Sequence, residues 1–359
     1  MVKVIIVGAT GYSGLELIRL LLQHPQVTIH KLYASAQEYA SVTEVYPHLN
    51  TFTNLAIEQI GDVSDAELAD MRANAEVVFL ATPSGVSTEL GPRLLKAGFK
   101  IIDLSGDFRI KDRDVYEEWY QLIAPTAENL DKAVYGLSEW FPATIKKANY
   151  IANPGCYATG ILLGIAPIVA AGLDVKSIIA DAKSGVSGAG RGVSRGVHFS
   201  EVNENFKAYR VGAHKHIPEI EGVVETLANK KLLIDMVPHL VPMTRGILST
   251  IYIELGAGGE NPGRVAIDEK TIREIYTQAY AEQPFIRLLA AGKLPETKQV
   301  SGTNFCDIGL HLDKRTGRII VITAIDNLMK GASGQAVQNL NLMMGWEQDL
   351  GLKIIPMYP

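Results

Sequence analysis

Cysteine is scarce in this chain, which contains only Cys156 and Cys306 among 359 residues. Two cysteines cannot build the disulfide framework that stabilises many small secreted proteins. Long apolar runs are also lacking, so the sequence offers no membrane-spanning helix. The short apolar N-terminus ends in a glycine turn instead of continuing as a signal peptide. These absences predict a protein of the reducing cytoplasm with no membrane partner.

An excess of positive charge is absent as well. The chain has 34 Lys and Arg residues against 39 Asp and Glu residues, which gives a net charge of −5. No basic cluster offsets this balance, so we expect no nucleic-acid partner. The sequence contains no internal repeat and no low-complexity segment. A chain of this length with 47% hydrophobic residues is typical of a globular protein with two domains.

The N-terminus has the pattern of a dinucleotide-binding unit. Val2–Val7 is a short β-branched run, and residues 15–22 have helical periodicity. Between them, glycines at every third position allow a pyrophosphate to approach the backbone at the helix N-terminus. A tight turn with a purely structural role is the alternative. The predicted cofactor ligands are Gly8, Thr10, Gly11, Tyr12, Ser13 and Gly14.

The following segments continue this pattern and favour NADP over NAD. Residues 28–33 form the second predicted strand, which is followed by Ser35 and only later by the acidic Glu38. A small polar residue leaves room for a 2′-phosphate, whereas NAD sites usually place an acid there. Predicted strands 76–81 and 100–104 flank a predicted helix over 86–97, which indicates a parallel sheet. Ala81 and Pro83 lie in the turn after a strand and are further predicted cofactor ligands.

Cys156 is the candidate nucleophile. It stands in the segment 153–160, Asn-Pro-Gly-Cys-Tyr-Ala-Thr-Gly, just ahead of the apolar run 161–171. Proline and glycine mark the start of a helix, and the helix N-terminus favours the thiolate, which is the reactive form. The same N–H groups suit an oxyanion on an attacked carbonyl. The alternative is a cysteine packed as a small apolar residue, which is the interpretation that we prefer for Cys306.

A histidine pair is the candidate acid/base. His214 and His216 precede Pro218 and Glu219 in a polar connection, and a helix is predicted from Pro218 onward. A metal site would need a third His or Cys, and none lies nearby in the sequence, so we expect no metal. A histidine that a carboxylate orients requires fewer coincidences. His216 lies one helical turn before Glu219, so we expect His216 to carry the proton and His214 to hold substrate.

Several cations are candidates for binding the anionic groups of a substrate. Arg109 follows a predicted strand at the edge where ligands bind, although a surface ion pair is the alternative. The Gly- and Ser-rich stretch 181–192 predicts a mobile loop that contacts anions. It contributes Lys183 and Arg191, and Lys215 lies between the two histidines. Near the C-terminus, Asn327 follows a predicted strand over 319–325, and we expect it to contact the cofactor.

These motifs together resemble those of the N-acetyl-γ-glutamyl-phosphate reductases of arginine biosynthesis. The resemblance covers essentially the whole chain and is most specific around Pro154, Gly155, Cys156 and Tyr157, with Gly160, Gly164 and Pro167 downstream. It implies a cysteine nucleophile, a histidine acid/base, hydride from NADPH and a homodimer or homotetramer. We further assign Asn153 to substrate binding, and Ser187 and Gly188 to cofactor binding.

The resemblance also implies an α/β fold similar to that of aspartate-semialdehyde dehydrogenase. A Rossmann-type nucleotide-binding domain over 1–153 and 326–359 would take back the C-terminal helix, and 154–325 would form an α+β catalytic and oligomerisation domain. Two other functions remain open from the residues alone. One is the reduction of a related acyl phosphate, either carrier-linked aminoadipyl phosphate or aspartyl phosphate. The other is a non-catalytic NADP-sensing regulator, which would not need Cys156 with both histidines.

Overall fold

The computed structural model describes residues 1–36, 38–61, 63–256 and 267–358. Within these residues the chain divides into two compact units. The first unit comprises Met1–Pro154 and Ala332–Lys353, and the second comprises Gly155–Gly331 with a short piece that begins at Ile354. In this described part of the chain, no helix combines the length and apolar character that a membrane crossing requires.

The first unit contains a parallel sheet. Its strands are β1 (Val2–Val7), β2 (Val27–Ala34), β3 (Ile57–Gln59), β4 (Val77–Leu80), β5 (Lys100–Asp103), β6 (Ala133–Tyr135) and β7 (Tyr150–Ala152). Their order is β3-β2-β1-β4-β5-β7-β6, with every neighbouring pair parallel. The direction of winding changes between β1 and β4, and ligands of such sheets bind outside the carboxyl ends of the strands at that point.

Helices connect these strands, as the alternation in the sequence predicted. They are α1 (Tyr12–Leu21), α2 (Val42–Val45), α3 (Asp65–Asn74), α4 (Val86–Lys96), α5 (Arg113–Tyr120), α6 (Ala127–Lys132) and α7 (Pro142–Ile145), with a 3₁₀ helix at Pro47–Leu49. Helix α1 begins earlier than predicted because Gly11 already serves as its N-cap. The core of the sheet is formed by residues such as Ile5, Val78 and Ile101, which are fully buried.

The second unit contains a mixed sheet. Its strands are β8 (Val175–Gly185), β9 (Lys207–Ala208), β10 (Ile234–Val241), β11 (Ile247–Leu255), β12 (Ile286–Leu288), β13 (Cys306–Asp313) and β14 (Arg318–Ile325), in the order β12-β13-β14-β11-β8-β10-β9. Its helices are α8 (Cys156–Ala170), α9 (Phe199–Val202), α10 (His216–Ala228) and α11 (Glu269–Tyr280), with 3₁₀ helices at Val186–Ala189, Arg195–Val197 and Thr297–Val300. Cys306 is buried in β13, as predicted.

The stretch 181–192 is not the mobile loop that its composition predicted. Its first part completes β8, which pairs with both β10 and β11. The buried positions alternate along this strand, with Ala180, Ala182 and Ser184 inside the fold. Gly185 is required there, because a Cβ would lie 2.7 Å from the Thr244 carbonyl oxygen. The small residue at Gly185 therefore serves close packing, whereas Gly190 and Gly192 have nothing within 4 Å of a Cβ position.

Helix α8 is a buried helix interrupted by a proline. Apart from Cys156 and Ala170, its residues are buried, as expected for a helix that is apolar on all sides. Pro167 has no N–H to donate to the Leu163 carbonyl one turn earlier. The hydroxyl of Tyr280 donates to that carbonyl instead, at 2.6 Å. Gly164 brings the helix close to the sheet, where a Cβ would lie 2.7 Å from Ile251 Cδ1.

The chain returns to the first unit later than the sequence predicted. Residues 326–331 stay with the second unit, because the Asp326 carboxylate accepts N–H bonds from Gly302, Leu328 and Met329 of that unit. A π-helical turn, Met329–Ser333, leads into α12 (Gly334–Met343), which belongs to the first unit. The C-terminal piece from Ile354 groups with the second unit rather than the first.

The hydrogen bond from Tyr280 to the Leu163 carbonyl, which Pro167 leaves without its helical donor, can be tested through its effect on stability. We expect Tyr280→Phe to lower the free energy of unfolding by about 1–3 kcal/mol, because the Leu163 carbonyl is left buried without a donor. Tyr276→Phe is the matched control. Its hydroxyl donates to the Gly164 carbonyl, which in helical geometry also receives the N–H four residues later. Urea unfolding of the two variants provides the comparison, and an equal loss in both would contradict this role of Tyr280.

Candidate active site

The glycine turn after β1 has the backbone geometry of a dinucleotide site. Gly8 has φ of 95°, and a Cβ there would overlap the Ala81 carbonyl oxygen at the end of β4. A Cβ at Gly14 would overlap the Gly8 carbonyl oxygen, so the third glycine allows α1 to pack against the turn. Gly11 has only the Gly8 carbonyl oxygen near its Cβ position, at 3.6 Å, and leaves room for a ligand. Each glycine thus meets a separate requirement of phosphate binding.

The remaining predicted cofactor ligands of the first unit surround this turn. Thr10 is partly exposed on the turn, and Tyr12 and Ser13 are partly exposed in the first turn of α1. Tyr46, which the sequence did not single out, supports the turn by donating its hydroxyl to the Thr10 carbonyl at 2.7 Å. At the following strand ends, Ser35 after β2 and Pro83 after β4 are both exposed.

An acid pair lies beneath the turn between β4 and α4, and the sequence analysis missed it. Asp107 is fully buried and accepts N–H bonds from Gly85 and Thr88 at the start of α4. Asp103 is also buried, and burial followed by the charge of Asp107 raises the pKa of Asp103 to about 6. Tyr150 donates its hydroxyl to Asp103 at 2.9 Å. The pair fixes the backbone of the turn that contains Pro83.

Cys156 is the first residue of α8 and is partly exposed, in contrast to the helix behind it. In helical geometry the N–H groups of Cys156, Tyr157 and Ala158 have no intrahelical acceptor. They therefore point toward the space at the helix N-terminus, where they favour negative charge. Gly331 passes close to Cys156, since a Cβ on it would lie 2.8 Å from Cys156 Cβ.

Two residues of α10 meet the peptide that precedes Cys156. Glu219 is 1% exposed, and its Oε1 accepts the Gly155 N–H at 2.8 Å. The imidazole of His216 lies against the same residue, because a Cβ on Gly155 would overlap His216 Nε2. Within the second unit, Glu219 and His216 thus both contact the residue that precedes Cys156. In the described residues no group of three or more His, Cys, Asp or Glu side chains is arranged to hold a metal.

His214 differs from its expected environment. It is 8% exposed rather than part of a polar connection. Its Nδ1 accepts the backbone N–H of His216 at 3.2 Å, so the N–H of the first helical residue of α10 has an acceptor. Burial, and then the charges of His216 and Arg210, lower the pKa of His214 to about 2. His214 is therefore neutral near pH 7 and does not supply a proton there.

Two tyrosines enclose this histidine pair, and the sequence analysis did not identify either. The ring centroids of Tyr157 and His214 lie 5.3 Å apart, and those of Tyr209 and His214 lie 5.8 Å apart. The Tyr209 hydroxyl donates to the Tyr157 hydroxyl at 3.3 Å, and Tyr157 donates to the His239 carbonyl at 3.0 Å. The position of Tyr157 directly after the cysteine was the signal available for one of them.

Arg109 and Asn153 are joined at the strand ends of the first unit. The Arg109 guanidinium donates from Nε to the Asn153 carbonyl at 2.8 Å and from Nη2 to the Leu104 carbonyl at 2.7 Å. Arg109 remains partly exposed. Asn153 is fully buried, and its amide donates to the Ala332 carbonyl and accepts from Asn339. Its environment therefore fits a role inside the fold better than the predicted contact with substrate.

The other predicted cations have different surroundings. Lys183 and Asp181 lie on one face of β8, and Ala182 lies on the opposite face. Lys183 forms an ion pair with Asp181 at 2.7 Å. Strand alternation thus directs it away from the face that α8 covers. Arg191 is exposed after the Val186–Ala189 turn. Lys215 is the N-cap residue of α10 and adjoins both histidines.

The predicted cofactor residues of the second unit form a cluster of their own. Asn327 is 2% exposed, and its amide donates to Ser187 Oγ at 2.9 Å and accepts the Gly246 N–H at 2.8 Å. Gly188 is exposed next to them, and a Cβ on it would lie 3.6 Å from Asn327 Nδ2. Asn327 thus ties the end of β14 to the turn that follows β8.

Comparison with known protein families matches both halves of the chain. Residues 3–148 match the NAD binding domain of semialdehyde dehydrogenases, and residues 156–327 match their dimerisation domain. The prediction of a nicotinamide dinucleotide cofactor is therefore confirmed. The aspartate semialdehyde dehydrogenase II of Vibrio cholerae superimposes with a TM-score of 0.72 at 17% identity, covering 96% of this chain and 98% of the other. This likeness confirms the predicted fold class.

Curated relatives match the chain from end to end. An N-acetyl-gamma-glutamyl-phosphate reductase of Geobacillus kaustophilus is 50% identical over 362 residues, covering 99% of this chain and 100% of the relative. A protein of the same name from Geobacillus sp. strain WCH70 is 47% identical over 358 residues, with the same two coverages. A third, from Halalkalibacterium halodurans, is 50% identical over 358 residues, again with these coverages.

The environment of His214 predicts a contribution to acid sensitivity. The unfolded chain protonates His214 near its ordinary pKa of 6.5, whereas the folded chain does so only near 2. Between these values the unfolded state binds more protons, so the free energy of unfolding falls as pH falls, by up to about 1.4 kcal/mol per pH unit. We expect His214→Gln to reduce the stability loss between about pH 7.5 and about pH 5.5 by about 1 kcal/mol.

Urea unfolding of wild type and variant at both pH values measures this difference in slope. His311→Gln, on an exposed position of β13, is the control and should keep the wild-type slope. A His214→Gln slope equal to that of the control would show that another group accounts for the acid sensitivity.

Proposed function

This chain belongs to the N-acetyl-gamma-glutamyl-phosphate reductase family, and we propose that it reduces N-acetyl-γ-glutamyl phosphate to N-acetylglutamate 5-semialdehyde with NADPH, in arginine biosynthesis. The observation that carries the proposal is the position of Cys156. It is the partly exposed first residue of the buried helix α8, next to a peptide that Glu219 binds and His216 contacts. A nucleotide-sensing regulator would not require this arrangement.

The reaction begins with the cysteine. The Cys156 thiolate attacks the carbonyl carbon of the acyl phosphate, and the C–O bond to phosphate breaks, which leaves a thioester and free phosphate. The first-turn N–H groups of α8 stabilise the oxyanion of each tetrahedral intermediate. After hydride has reached the thioester carbon, the C–S bond breaks and the aldehyde leaves. The thiolate is then restored.

His216 is the proposed acid/base residue. Its imidazole contacts the residue before the nucleophile, so it is placed to take the thiol proton and to protonate the group that leaves. His214, with its pKa lowered to about 2, stays neutral and holds the N-terminus of α10 through Nδ1. Glu219 binds the Gly155 N–H, and we assign it the role of fixing the backbone on which both reacting side chains depend.

The residues around Gly8, Gly11 and Gly14 suit the pyrophosphate of the cofactor. Gly11 leaves open space at the N-terminus of α1, where backbone N–H groups favour a phosphate. Ser35, after β2, is exposed and small enough to leave room for a 2′-phosphate. When bound, NADPH supplies the hydride for the reduction. Assigning Ser187, Gly188 and Asn327 to the cofactor continues to rest on the sequence.

Arg109, Arg191 and Lys215 remain the proposed ligands of the substrate's phosphate and carboxylate. Arg109 is partly exposed while two of its donors hold backbone carbonyls, so its position is fixed before any anion binds. A fixed guanidinium recognises phosphate or carboxylate with little loss of side-chain entropy. We omit Lys183, which Asp181 binds on another face of its strand.

We also propose a homodimer or homotetramer located in the cytoplasm. The second half of the chain matches a dimerisation domain. One face of its sheet carries Ile179, Val237 and Tyr252, which are half-buried or exposed in the single chain. Apolar residues on an open sheet face are suited to a second copy. Sedimentation velocity that finds only monomer at micromolar concentration would contradict this proposal.

The proposed function is tested in the reverse direction with purified protein. We expect N-acetylglutamate semialdehyde, phosphate and NADP together to produce NADPH, and expect aspartate semialdehyde or NAD to be much poorer substitutes. Cys156→Ser should abolish turnover but keep NADP binding, because a serine hydroxyl is not deprotonated at neutral pH. Cys306→Ser, at a buried position, should retain most activity. Turnover in Cys156→Ser, or a preference for aspartate semialdehyde, would disprove the assignment.

The two histidines are distinguished by their kinetics. We expect His216→Asn to lower kcat by about a hundredfold or more, the usual effect of losing a positioned acid/base group. His214→Asn should act more on KM, because a residue that stays neutral does not transfer the proton. The measurement is steady-state kinetics of both variants across pH. If His214→Asn lowered kcat more than His216→Asn did, the two roles would have to be exchanged.

A further inference from the structure

The residue Asn153 is held in the first unit by bonds from three directions. Its backbone N–H donates to the Asp103 carbonyl at 2.8 Å, and its carbonyl accepts from Arg109 Nε at 2.8 Å. Its side-chain Nδ2 donates to the Ala332 carbonyl at 3.1 Å, while Oδ1 accepts from Asn339 Nδ2 at 3.0 Å. Asn153 is fully buried, so these protein groups rather than water determine its orientation.

Asn339 on α12 belongs to a buried amide network that faces this residue. Its Nδ2 also donates to the Gly136 carbonyl at 2.8 Å, and its Oδ1 accepts from Ser138 Oγ at 2.8 Å. Gln335, one helical turn earlier, donates to the same Gly136 carbonyl and to Ser138 Oγ. Because Oδ1 and Nδ2 of Asn339 are both bonded, only one orientation of this amide satisfies all its partners. In that orientation an N–H is directed at Asn153.

Gly136 makes this close approach sterically possible. A Cβ on Gly136 would lie 2.5 Å from Asn339 Nδ2 and 2.6 Å from Ile151 Cγ2. The backbone after β6, the end of β7 and the amide of Asn339 are therefore packed without room for a side chain.

Only Pro154 and Gly155 separate Asn153 from the nucleophile. Proline fixes its own φ, and the Gly155 N–H is bound to Glu219. A rotation of the Asn153 peptide would thus be passed on to the Cys156 backbone. We propose that Asn339 is a positioning residue, which through its hydrogen bond to Asn153 fixes the peptide that leads into Cys156. This inference rests on the proposed function of Cys156 as the nucleophile.

Asn341 provides a matched control on the same helix. It is fully buried like Asn339, and its amide also makes three hydrogen bonds. Its partners are His24 and the carbonyls of Gln348 and Leu350, none of which adjoins the segment before Cys156. Loss of either asparagine should lower the free energy of unfolding by a similar amount. A difference in activity between the two variants is therefore caused by the place of Asn339 next to Asn153 and not by a loss of folded protein.

The experiment uses the full chain carrying Cys306→Ser, so that Cys156 is the single thiol. In this background, Asn339→Ala, Asn341→Ala, Asn153→Ala and the double variant Asn153→Ala/Asn339→Ala are compared. Two rates are measured: kcat in the reverse assay, and carboxymethylation of Cys156 by iodoacetate without substrate. Where Asn339→Ala does not fold, Asn339→Asp replaces it, because it keeps the shape and the acceptor but loses the donor to Asn153.

We expect Asn339→Ala to lower kcat about tenfold to a hundredfold, the scale of a displaced reacting group, and to change the carboxymethylation rate. Asn341→Ala should leave both rates within about twofold of the parent protein. In the Asn153→Ala background, loss of Asn339 should have no further effect on either rate, since residues that act in series are not additive.

Additive effects in the double variant, or equal effects of Asn339→Ala and Asn341→Ala, would overturn the inference. Carboxymethylation does not depend on the identity of the substrate. If the parent protein failed to oxidise N-acetylglutamate semialdehyde while the carboxymethylation rates followed the expected pattern, the proposed function would be wrong and the positioning role of Asn339 would stand.

Discussion

The candidate active site depends on one hydrogen bond, from the Gly155 N–H to the buried carboxylate of Glu219. It joins the first turn of α10 to the peptide that precedes Cys156. Glu219 is 1% exposed, so water cannot replace the bond, and its loss would leave a buried carboxylate short of a donor. Because His216 is on the same turn of α10, this contact links the proposed nucleophile to the proposed acid/base residue.

Close backbone approach is the second requirement of the site, and glycine meets it each time. Gly155 admits the imidazole of His216, Gly331 passes beside Cys156, and Gly8 lies against the end of β4. At each position a Cβ would fall closer than 3 Å to another atom. These glycines are therefore not interchangeable with the exposed ones, such as Gly172 or Gly292, which have nothing within 4 Å of a Cβ position.

Local features of the sequence predicted most of the elements and two of the places where candidate site residues lie. Glycine spacing located the turn after β1, and proline and glycine before an apolar run located Cys156 at the start of α8. Features that depend on distant partners were not predicted. The direction of Lys183 follows from pairing with β10 and β11. Asn153 is turned inward by Asn339, which is 186 residues away in the chain. The burial of His214 depends on Tyr157 and Tyr209, whose positions only the folded chain defines.

Helix α8 combines two properties that bear on the nucleophile at its end. It has no acidic residue in its first turn and no basic residue in its last turn, and protein covers nearly its whole length. Mobile ions screen charges that face solvent, but they do not reach between a buried helix and the atom at its terminus. The peptide dipoles of α8 are therefore open to screening only at the end of the helix, where Cys156 is partly exposed. The backbone thus supplies one part of the electrostatic potential at the sulfur, and substitutions of distant surface charge leave that part almost unchanged.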